Sequence, residues 1–189
     1  GWFGFNGGSV LSADPALTSL TLVTTCLAAA AGGIACALTA KLVYGTLDIT
    51  MFMNGVLGGL VGITAGADLM SPGEAIAIGA IAGPIVLGGV ALLDKAKLDD
   101  PVGAIPVHLF CGMWGTLAVG VFGAEKGLEQ LGKQAAVIGL AGIFCCIGAA
   151  LIVLIVKALV GLRVSEAEEA EGLDIAEHGT SAYADFSVK

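Results

Sequence analysis

The sequence predicts an all-α polytopic membrane protein, and three observations lead to this fold class. The chain of 189 residues is 57% hydrophobic and only 13% charged, which leaves too few charges to cover the surface of a soluble domain. Long stretches without a charged residue recur along the chain. Glycine accounts for 30 residues, and several recur at the four-residue spacing found where membrane helices pack closely.

Five uncharged stretches have the length of about 20 residues that a membrane-spanning helix requires. They cover residues 17–40, 49–67, 75–93, 101–124 and 134–156. Residues 1–13 are also uncharged but too short to cross a bilayer, so we expect them to be the end of a preceding span. The first residues, GWFGFNGGS, are typical of the middle of a polypeptide chain and not of its start, so we expect further helices before them.

Glycines at a four-residue spacing lie within the predicted spans. The pairs are Gly55/Gly59, Gly58/Gly62 and Gly79/Gly83. Small residues at this spacing let two helices approach closely in lipid. We therefore expect tight helix packing, which a narrow passage through the protein would also need.

Basic residues predict the orientation of the chain, because loops on the cytoplasmic side carry an excess of Lys and Arg. Lys126 and Lys133 lie together in one loop on one side. The opposite side carries five basic residues, which are Lys41, Lys95, Lys97, Lys157 and Arg163. We therefore expect a multi-pass protein of the cell membrane, embedded in the lipid bilayer, with its C-terminus in the cytoplasm.

The predicted C-terminal tail, residues 164–189, is acidic and polar. It also carries apolar side chains, at Leu173, Ile175, Tyr183 and Phe186. Two interpretations stay open: the tail is a solubilising end, or it docks on the cytoplasmic face of the membrane domain.

His108 is the most informative residue for function. It is one of two histidines and, apart from the cysteines, the only ionisable group inside a predicted span. A polar group in the hydrocarbon is costly, so it usually faces a cavity or a partner. A neutral imidazole can donate a hydrogen bond from one nitrogen and accept on the other. A structural histidine bonded to a neighbouring helix is the alternative.

The helix that carries His108 has a recognisable start. Asp100 is a favourable N-cap residue, and Pro101 after it suits the first helical turn. We therefore expect the helix to begin at Pro101. Pro106 lies two residues before His108, removes a backbone donor and could kink the helix at that depth.

Several classes of function are not expected. A net charge of −8 disfavours a nucleic-acid partner. The five cysteines lie in apolar runs without a CxxC pair, as small buried side chains do. His108 and Cys111 could share a helical face, but two ligands are too few for a metal site. No nucleophile–base pair is visible, so we expect neither an enzyme nor a cofactor.

A second cluster lies at the start of the chain, in the sequence WFGFNGGS. Tryptophan often lies at the membrane interface, which is the simplest interpretation of Trp2. Phe5 and Ser9 are four residues apart and would share one face of a helix. An aromatic ring and a hydroxyl on one face can hold a desolvated cation.

Four segments of the chain resemble the ammonium transporter (Amt/Mep/Rh) superfamily, in its bacterial-type Amt branch. They are GWFGFNGGS, NGVLGGLVGITAGAD, DDPVGAIPVHLFCGMWGTLAVGVF and GLRVSEAEEAEGLDIAEHG, in the order of the family. The resemblance implies eleven transmembrane helices in two inverted repeats, assembled as a homotrimer with one pore per protomer. This chain would supply the second half: the end of helix 6 in residues 1–13, helices 7–11 in residues 17–163, and a cytoplasmic regulatory tail in residues 164–189.

The resemblance also implies roles for individual residues. Phe5 matches one of two stacked phenylalanines that close the outer mouth, and Ser9 matches the serine that recruits ammonium outside them. His108 matches the second of two pore histidines, Trp2 a tryptophan beside the pore, and Asp100 a structural aspartate at the start of the histidine's helix. The first repeat, with its own histidine, would lie outside this chain, so we expect half a pore.

The tail resembles the region that regulates transport and, in many bacterial members, contacts a PII-type signalling protein. Ala176 stands where plant relatives carry a regulatory threonine, so no phosphorylation switch is implied there. One alternative function is a membrane-embedded ammonium sensor, which would continue into a signalling domain. A structural, inactive paralogue is a third interpretation, favoured if the other half lacks its histidine.

Overall fold

The structure, a computed structural model, describes residues 1–181, and every regular element in that range is helical, as the sequence predicts. The elements are α1 (Trp2–Ser9), α2 (Pro15–Tyr44), α3 (Ile49–Thr64), α4 (Pro72–Ala96), a π-helical segment (Ile105–Phe110), α5 (Cys111–Val121), α6 (Leu128–Leu159), α7 (Glu166–Glu171) and α8 (Leu173–Ala176). By length and composition α2, α4 and α6 can cross a membrane, whereas α3 and the helix Ile105–Val121 are shorter.

Local capping explains where the long helices begin. The Asp14 carboxylate accepts hydrogen bonds from the backbone N–H groups of Ala16 and Leu17, at 2.8 and 2.9 Å, and starts α2. Asp48 caps α3 in the same way. The Ser71 and Glu74 side chains each bond the other's backbone N–H and start α4. Such caps satisfy donors that a helix leaves unpaired in its first turn.

The predicted span 49–67 is three residues too long, because α3 ends at Thr64. The chain then turns through residues 65–69. The Thr24 hydroxyl of α2 donates to the carbonyl oxygen of Ala67 at 2.6 Å. Non-helical backbone in an apolar protein requires such partners for its polar groups, and the sequence of the span did not show that α2 supplies one.

The chain divides into two compact units, and the first of them, Gly1–Leu140, is built around α2. Helices α3 and α4 both pack against α2, and α5 packs against α3 and α4. The indole N–H of Trp114 in α5 donates to the Ile78 carbonyl oxygen of α4 at 3.1 Å. These contacts place α1, α3 and the π-helical segment around one cavity, described below.

Glycines allow the helices of this unit to approach at backbone distance. A Cβ atom added to Gly59 of α3 or to Gly79 of α4 would overlap the carbonyl oxygen of Ala28 in α2. A Cβ atom on Gly115 of α5 would overlap the Gly62 carbonyl oxygen of α3. The predicted role of the spaced glycines in tight helix packing is therefore confirmed.

The second unit begins at Ala141 and includes the end of α6, then α7 and α8. No residue of α6 is buried within the part of the chain that the structure describes. Ser165 and Glu168 form a capping box at the start of α7. One guanidinium nitrogen of Arg163 donates to both carboxylate oxygens of Glu169, at 2.7 and 2.9 Å.

Docking of the tail stays a prediction. Leu173 and Ile175 of α8 are exposed in this chain. Tyr183 and Phe186, the other two apolar residues of the prediction, lie outside the described residues.

Substitution at the glycine contacts tests this packing. We expect Gly59→Ala to destabilise the protein by about 1–3 kcal/mol, as overpacking does, because its methyl group meets the Ala28 backbone. The measurement is the thermal unfolding midpoint of the purified protein in detergent. Gly88→Ala is the matched control, because a Cβ atom there has no neighbour within 4 Å. Equal midpoints for the two variants would contradict the packing argument.

Candidate functional site

One open cavity of about 460 Å³ in the first unit brings together three of the predicted site residues, Trp2, Phe5 and His108. Its walls come from α1, the end of α3, the π-helical segment and α5. The lining residues are Trp2, Phe5, Val61, Thr64, Ala65, His108, Gly112 and Thr116. None of them is an aspartate, glutamate, lysine or arginine, so the part of the wall that this chain supplies holds no fixed charge.

His108 contributes the imidazole of this wall. The side chain is exposed in the chain by itself and makes no hydrogen bond with any residue between 1 and 181. The alternative interpretation, a structural histidine, requires a bond to a neighbouring helix, and the described helices supply none. Both ring nitrogens therefore remain able to donate to or accept from a molecule in the cavity.

The backbone around His108 is a π-helix, Ile105–Phe110, that continues directly into α5. The predicted helix start at Pro101 is wrong. Residues 101 and 102 form a turn, and Gly103 adopts a left-handed φ of 73° that interrupts helical geometry. Pro106 lies in the first turn of the π-helix, where a missing backbone donor costs little. π-Helical turns are rare and are often found at functional sites.

Asp100 holds the start of this helix from outside it. Its two carboxylate oxygens accept hydrogen bonds from the N–H groups of Ala104 and Ile105, each at 2.8 Å. The bond from Ile105, followed by that from Ala104, lowers the pKa of the Asp100 carboxyl below its ordinary value. The Asp100 carboxylate therefore bonds backbone N–H groups four and five residues later in the chain, beyond the turn at residues 101 and 102.

Asn54 was not predicted and supports the same loop. It is buried in α3, and its Nδ2 group donates to the Val102 carbonyl oxygen at 3.1 Å. A lone amide inside the apolar sequence MFMNGV was a usable signal, because a buried polar group needs a partner. The identity of the partner, 48 residues away, was not visible in the sequence.

Trp2 and Phe5 form the α1 side of the cavity. The Trp2 indole N–H donates to the Thr64 hydroxyl oxygen at 2.8 Å, and the Trp2 and Phe5 ring centroids are 5.5 Å apart. Trp2 therefore has a hydrogen-bond partner inside this chain. A position at the membrane interface, the simplest interpretation of the sequence, did not predict that bond. Thr64 and Thr116 are cavity residues that sequence reasoning missed.

Ser9 does not line the cavity of His108. Its hydroxyl donates to the Phe5 carbonyl oxygen one helical turn earlier, at 2.7 Å. Ser9 lines a separate, smaller pocket, which shares Thr64 with the cavity of His108. The structure therefore joins Phe5 to Trp2 and His108, and places Ser9 about 6 Å further along the α1 axis.

Cys111 lies three residues after His108 but does not line the same cavity. Its thiol is buried against α4, with Sγ 3.6 Å from the Ala82 carbonyl oxygen. Among residues 1–181, no group of three or more His, Cys, Asp or Glu side chains is arranged to hold a metal ion.

Comparison with known proteins gives a consistent result. The model of the family described as the Ammonium Transporter Family matches residues 1–183. Ammonium transporter Amt2 of Archaeoglobus fulgidus is 41% identical over 205 residues, covering 98% of this chain and 43% of the relative. Ammonium transporter Amt2 of Methanocaldococcus jannaschii is 39% identical, covering 100% of this chain and 44% of the relative. The chain thus spans less than half the length of these relatives.

Solved structures share the fold. A protein described as a Sensor Amt Protein matches with a TM-score of 0.87 and 34% identity, over 93% of this chain and 45% of that one. The crystal structure of Candida albicans Mep2 matches with a TM-score of 0.82 and 26% identity, over 88% of this chain and 41% of that one. These matches support an all-α, polytopic membrane fold.

The Asp100 cap generates a prediction about pH. A neutral amide oxygen accepts more weakly than a carboxylate, so Asp100→Asn should lower the thermal unfolding midpoint at neutral pH. The native carboxylate has a lowered folded-state pKa, so its contribution is complete above the ordinary aspartate pKa of about 3.9. That contribution is lost as pH falls through the lowered pKa, and the difference between the two proteins should therefore close in acid.

Asp99→Asn is the matched control, because the neighbouring carboxylate makes no hydrogen bond within residues 1–181. The measurement is the unfolding midpoint in detergent at neutral pH and at a series of pH values below the ordinary aspartate pKa of about 3.9. A gap that stays constant with pH, or that is equally large for Asp99→Asn, would contradict the capping role.

Proposed function

The chain belongs to the ammonium transporter family, and from that premise we propose that it forms the second half of a pore that carries ammonium or ammonia across a cell membrane. The observation that carries the proposal is the single cavity shared by Trp2, Phe5 and His108, with no charged side chain in its described wall. The remaining helices, including a second pore histidine and a second gate phenylalanine, would come from the part of the protein outside this chain.

Ammonium would meet Ser9 first. The Ser9 hydroxyl proton is already donated to the Phe5 carbonyl oxygen, so the lone pairs of the hydroxyl oxygen are free to accept from an N–H group. The order along α1 then runs from Ser9 to Phe5 and on to Trp2, with His108 across the cavity. This order supports recruitment outside the gate and relay inside it.

Loss of water and of a proton would follow at the gate. The Phe5 ring can attract a desolvated cation through its π face, but it offers no counter-charge. A bare cation in an apolar passage is expensive, so release of the proton becomes favourable as the ion passes Phe5. A neutral ammonia molecule would then cross the uncharged cavity.

His108 would handle the passing species or its proton. Its imidazole lines the cavity and is unbonded among residues 1–181, so one nitrogen can accept an N–H hydrogen bond while the other donates. In this role, His108 and the histidine of the other half relay the proton or stabilise ammonia.

The complete protein would work as a homotrimer, with its C-terminus in the cytoplasm and its acidic tail as the contact for a PII-type regulator. The distribution of basic residues supports this orientation. The exposed apolar surface of α6 supports burial against lipid or further protein.

A membrane-embedded ammonium sensor is the second candidate, because the Sensor Amt Protein matches this chain with a TM-score of 0.87. A sensor would bind ammonium at the same residues and change the state of a signalling domain. Uptake distinguishes the two: a transporter moves ammonium across a sealed membrane, whereas a pure sensor binds without net movement.

Replacement of His108 tests the pore role. In the complete protein, reconstituted in sealed vesicles, we expect His108→Ala to reduce ammonium uptake by at least about tenfold or to change its selectivity against potassium, because general acid–base groups contribute about 10²–10⁴-fold where a proton moves. The control is His178→Ala, which replaces the chain's other histidine, outside the cavity.

Unchanged uptake and selectivity in His108→Ala would remove the relay role. Binding of ammonium without uptake in the unaltered protein would favour the sensor instead.

A further inference from the structure

The cavity of His108 holds another polar group that the proposed relay does not use, the hydroxyl of Thr116. Thr116 lies in α5, eight residues after His108, and Gly112 lies midway between them. All three residues line the cavity, so they form one strip along the helix that begins in the π-helical segment and continues in α5. At about 1.5 Å per residue, their outer two Cα atoms are at most about 12 Å apart along the helix axis.

Gly112 leaves the middle of this strip without a side chain. Beyond its own helix backbone, a Cβ atom added there would have one neighbour within 4 Å, a methyl carbon of Val61 at 3.7 Å. The space in front of Gly112 therefore belongs to the cavity. No side chain of the strip separates the His108 imidazole from the Thr116 hydroxyl.

Four side chains of the described cavity wall can form hydrogen bonds, and two of them use their donors within the chain. The Trp2 indole N–H donates to the Thr64 hydroxyl oxygen at 2.8 Å, and the Thr64 hydroxyl donates to the Leu60 carbonyl oxygen at 2.7 Å. The His108 imidazole and the Thr116 hydroxyl make no hydrogen bond among residues 1–181. In the described wall, these two groups therefore keep both a donor and an acceptor for a molecule in the cavity.

The free hydroxyl of Thr116 contrasts with most threonines packed between these helices. A threonine in a helix often donates its hydroxyl proton to the carbonyl oxygen four residues earlier. The described threonines that do so are Thr21, Thr24, Thr25, Thr39 and Thr64. Thr116 is half-buried but does not donate to the Gly112 carbonyl oxygen, so its hydroxyl proton remains available at the cavity wall.

We propose that the Thr116 hydroxyl is a hydrogen-bonding group of the transport path, which holds the transported nitrogen at a position separate from His108. A hydroxyl donates one hydrogen bond and accepts two. Thr116 can therefore donate to the lone pair of ammonia or accept from an N–H group of ammonium. The identity of the transported molecule rests on the proposed function, whereas the free hydroxyl in the cavity wall does not.

A polar group at this position lowers the barrier to crossing for a physical reason. Ammonia loses its hydrogen bonds to water when it enters an apolar passage, and that loss costs free energy. A wall group offers a replacement only within hydrogen-bond reach, about 3 Å. Groups at both His108 and Thr116 therefore divide one long apolar stretch into shorter steps. A neutral hydroxyl does this without a fixed charge that would hold a cation too tightly to release it.

Thr116→Val tests this role, because it replaces the hydroxyl with a methyl group and nearly keeps the size of the side chain. In the complete protein, reconstituted in sealed vesicles, we expect the maximal rate of ammonium uptake to fall by about two- to tenfold. A hydrogen bond of typical net strength gives a change of that size. Thr116→Ser keeps a hydroxyl and should retain most of the rate.

Thr116→Ala separates hydrogen bonding from the width of the passage. It lacks the hydroxyl but leaves more room, so we expect it to be as slow as Thr116→Val. The thermal unfolding midpoint of every variant should match that of the unaltered protein, because the hydroxyl acts on the transported molecule and makes no bond that holds the described fold together.

Thr18→Val is the matched control. Thr18 is half-buried in α2, its hydroxyl also makes no hydrogen bond among residues 1–181, and it does not line the cavity of His108. Its replacement removes an equally free hydroxyl elsewhere in the first unit and should leave uptake unchanged.

Three results would overturn the role of Thr116: full uptake by Thr116→Val, a loss of uptake that Thr116→Ser shares, or uptake by Thr116→Ala that exceeds that of the unaltered protein. If the unaltered protein takes up no ammonium, the pore proposal fails, and calorimetric binding of ammonium to the purified protein decides the Thr116 contact. Binding that Thr116→Val weakens by about two- to tenfold and Thr116→Ser restores would support the contact. Equal affinities would overturn it.

Discussion

The close approach of the α3 and α4 backbones to α2 sets the arrangement of the first unit. Ala28 of α2 meets glycines of both α3 and α4, Gly59 and Gly79, where a methyl group would overlap its carbonyl oxygen. Only at that distance does the end of α3 reach the side of α1, so that Thr64 can accept from Trp2. In lipid, where apolar side chains gain little by leaving the solvent, such packing and hydrogen bonding are the main forces between helices. The cavity is therefore a consequence of glycine contacts that lie outside it.

Polar groups inside this fold follow a simple rule, and its exceptions mark the sites. Threonine hydroxyls bond backbone carbonyls one turn earlier, and longer side chains such as Asn54 and Trp114 bond the backbone of another segment. Such bonds remove the cost of placing polar atoms in apolar surroundings. Among residues 1–181, the His108 imidazole makes no hydrogen bond and the side-chain Oδ1 atom of Asn6 has no partner. Both lie at cavities, Asn6 at the small pocket and His108 at the larger one.

The predicted site residues fared differently for physical reasons. Trp2, Phe5 and His108 line one cavity. Their positions in the sequence do not show that they lie close together, so only the resemblance of their motifs to a known family could predict it. Ser9 lies on the same face of α1 as Phe5 but one turn further along the helix axis, where it lines another pocket. Asp100 contacts its helix beyond a turn that Gly103 creates, so the expected cap geometry at Pro101 was wrong. Thr64 and Asn54 were missed because their partners lie 62 and 48 residues away in the chain.

The amino-acid sequence was enough to predict the fold class, the close packing at the spaced glycines and the family. These properties depend on composition and on short periodicities, which a linear chain displays directly. The tertiary structure alone decided where α3 ends, which hydroxyl accepts the Trp2 indole, and which amide oxygen remains unpaired. Each of those depends on a distance between helices that are far apart in sequence, and that distance is set by how closely their glycine backbones approach one another.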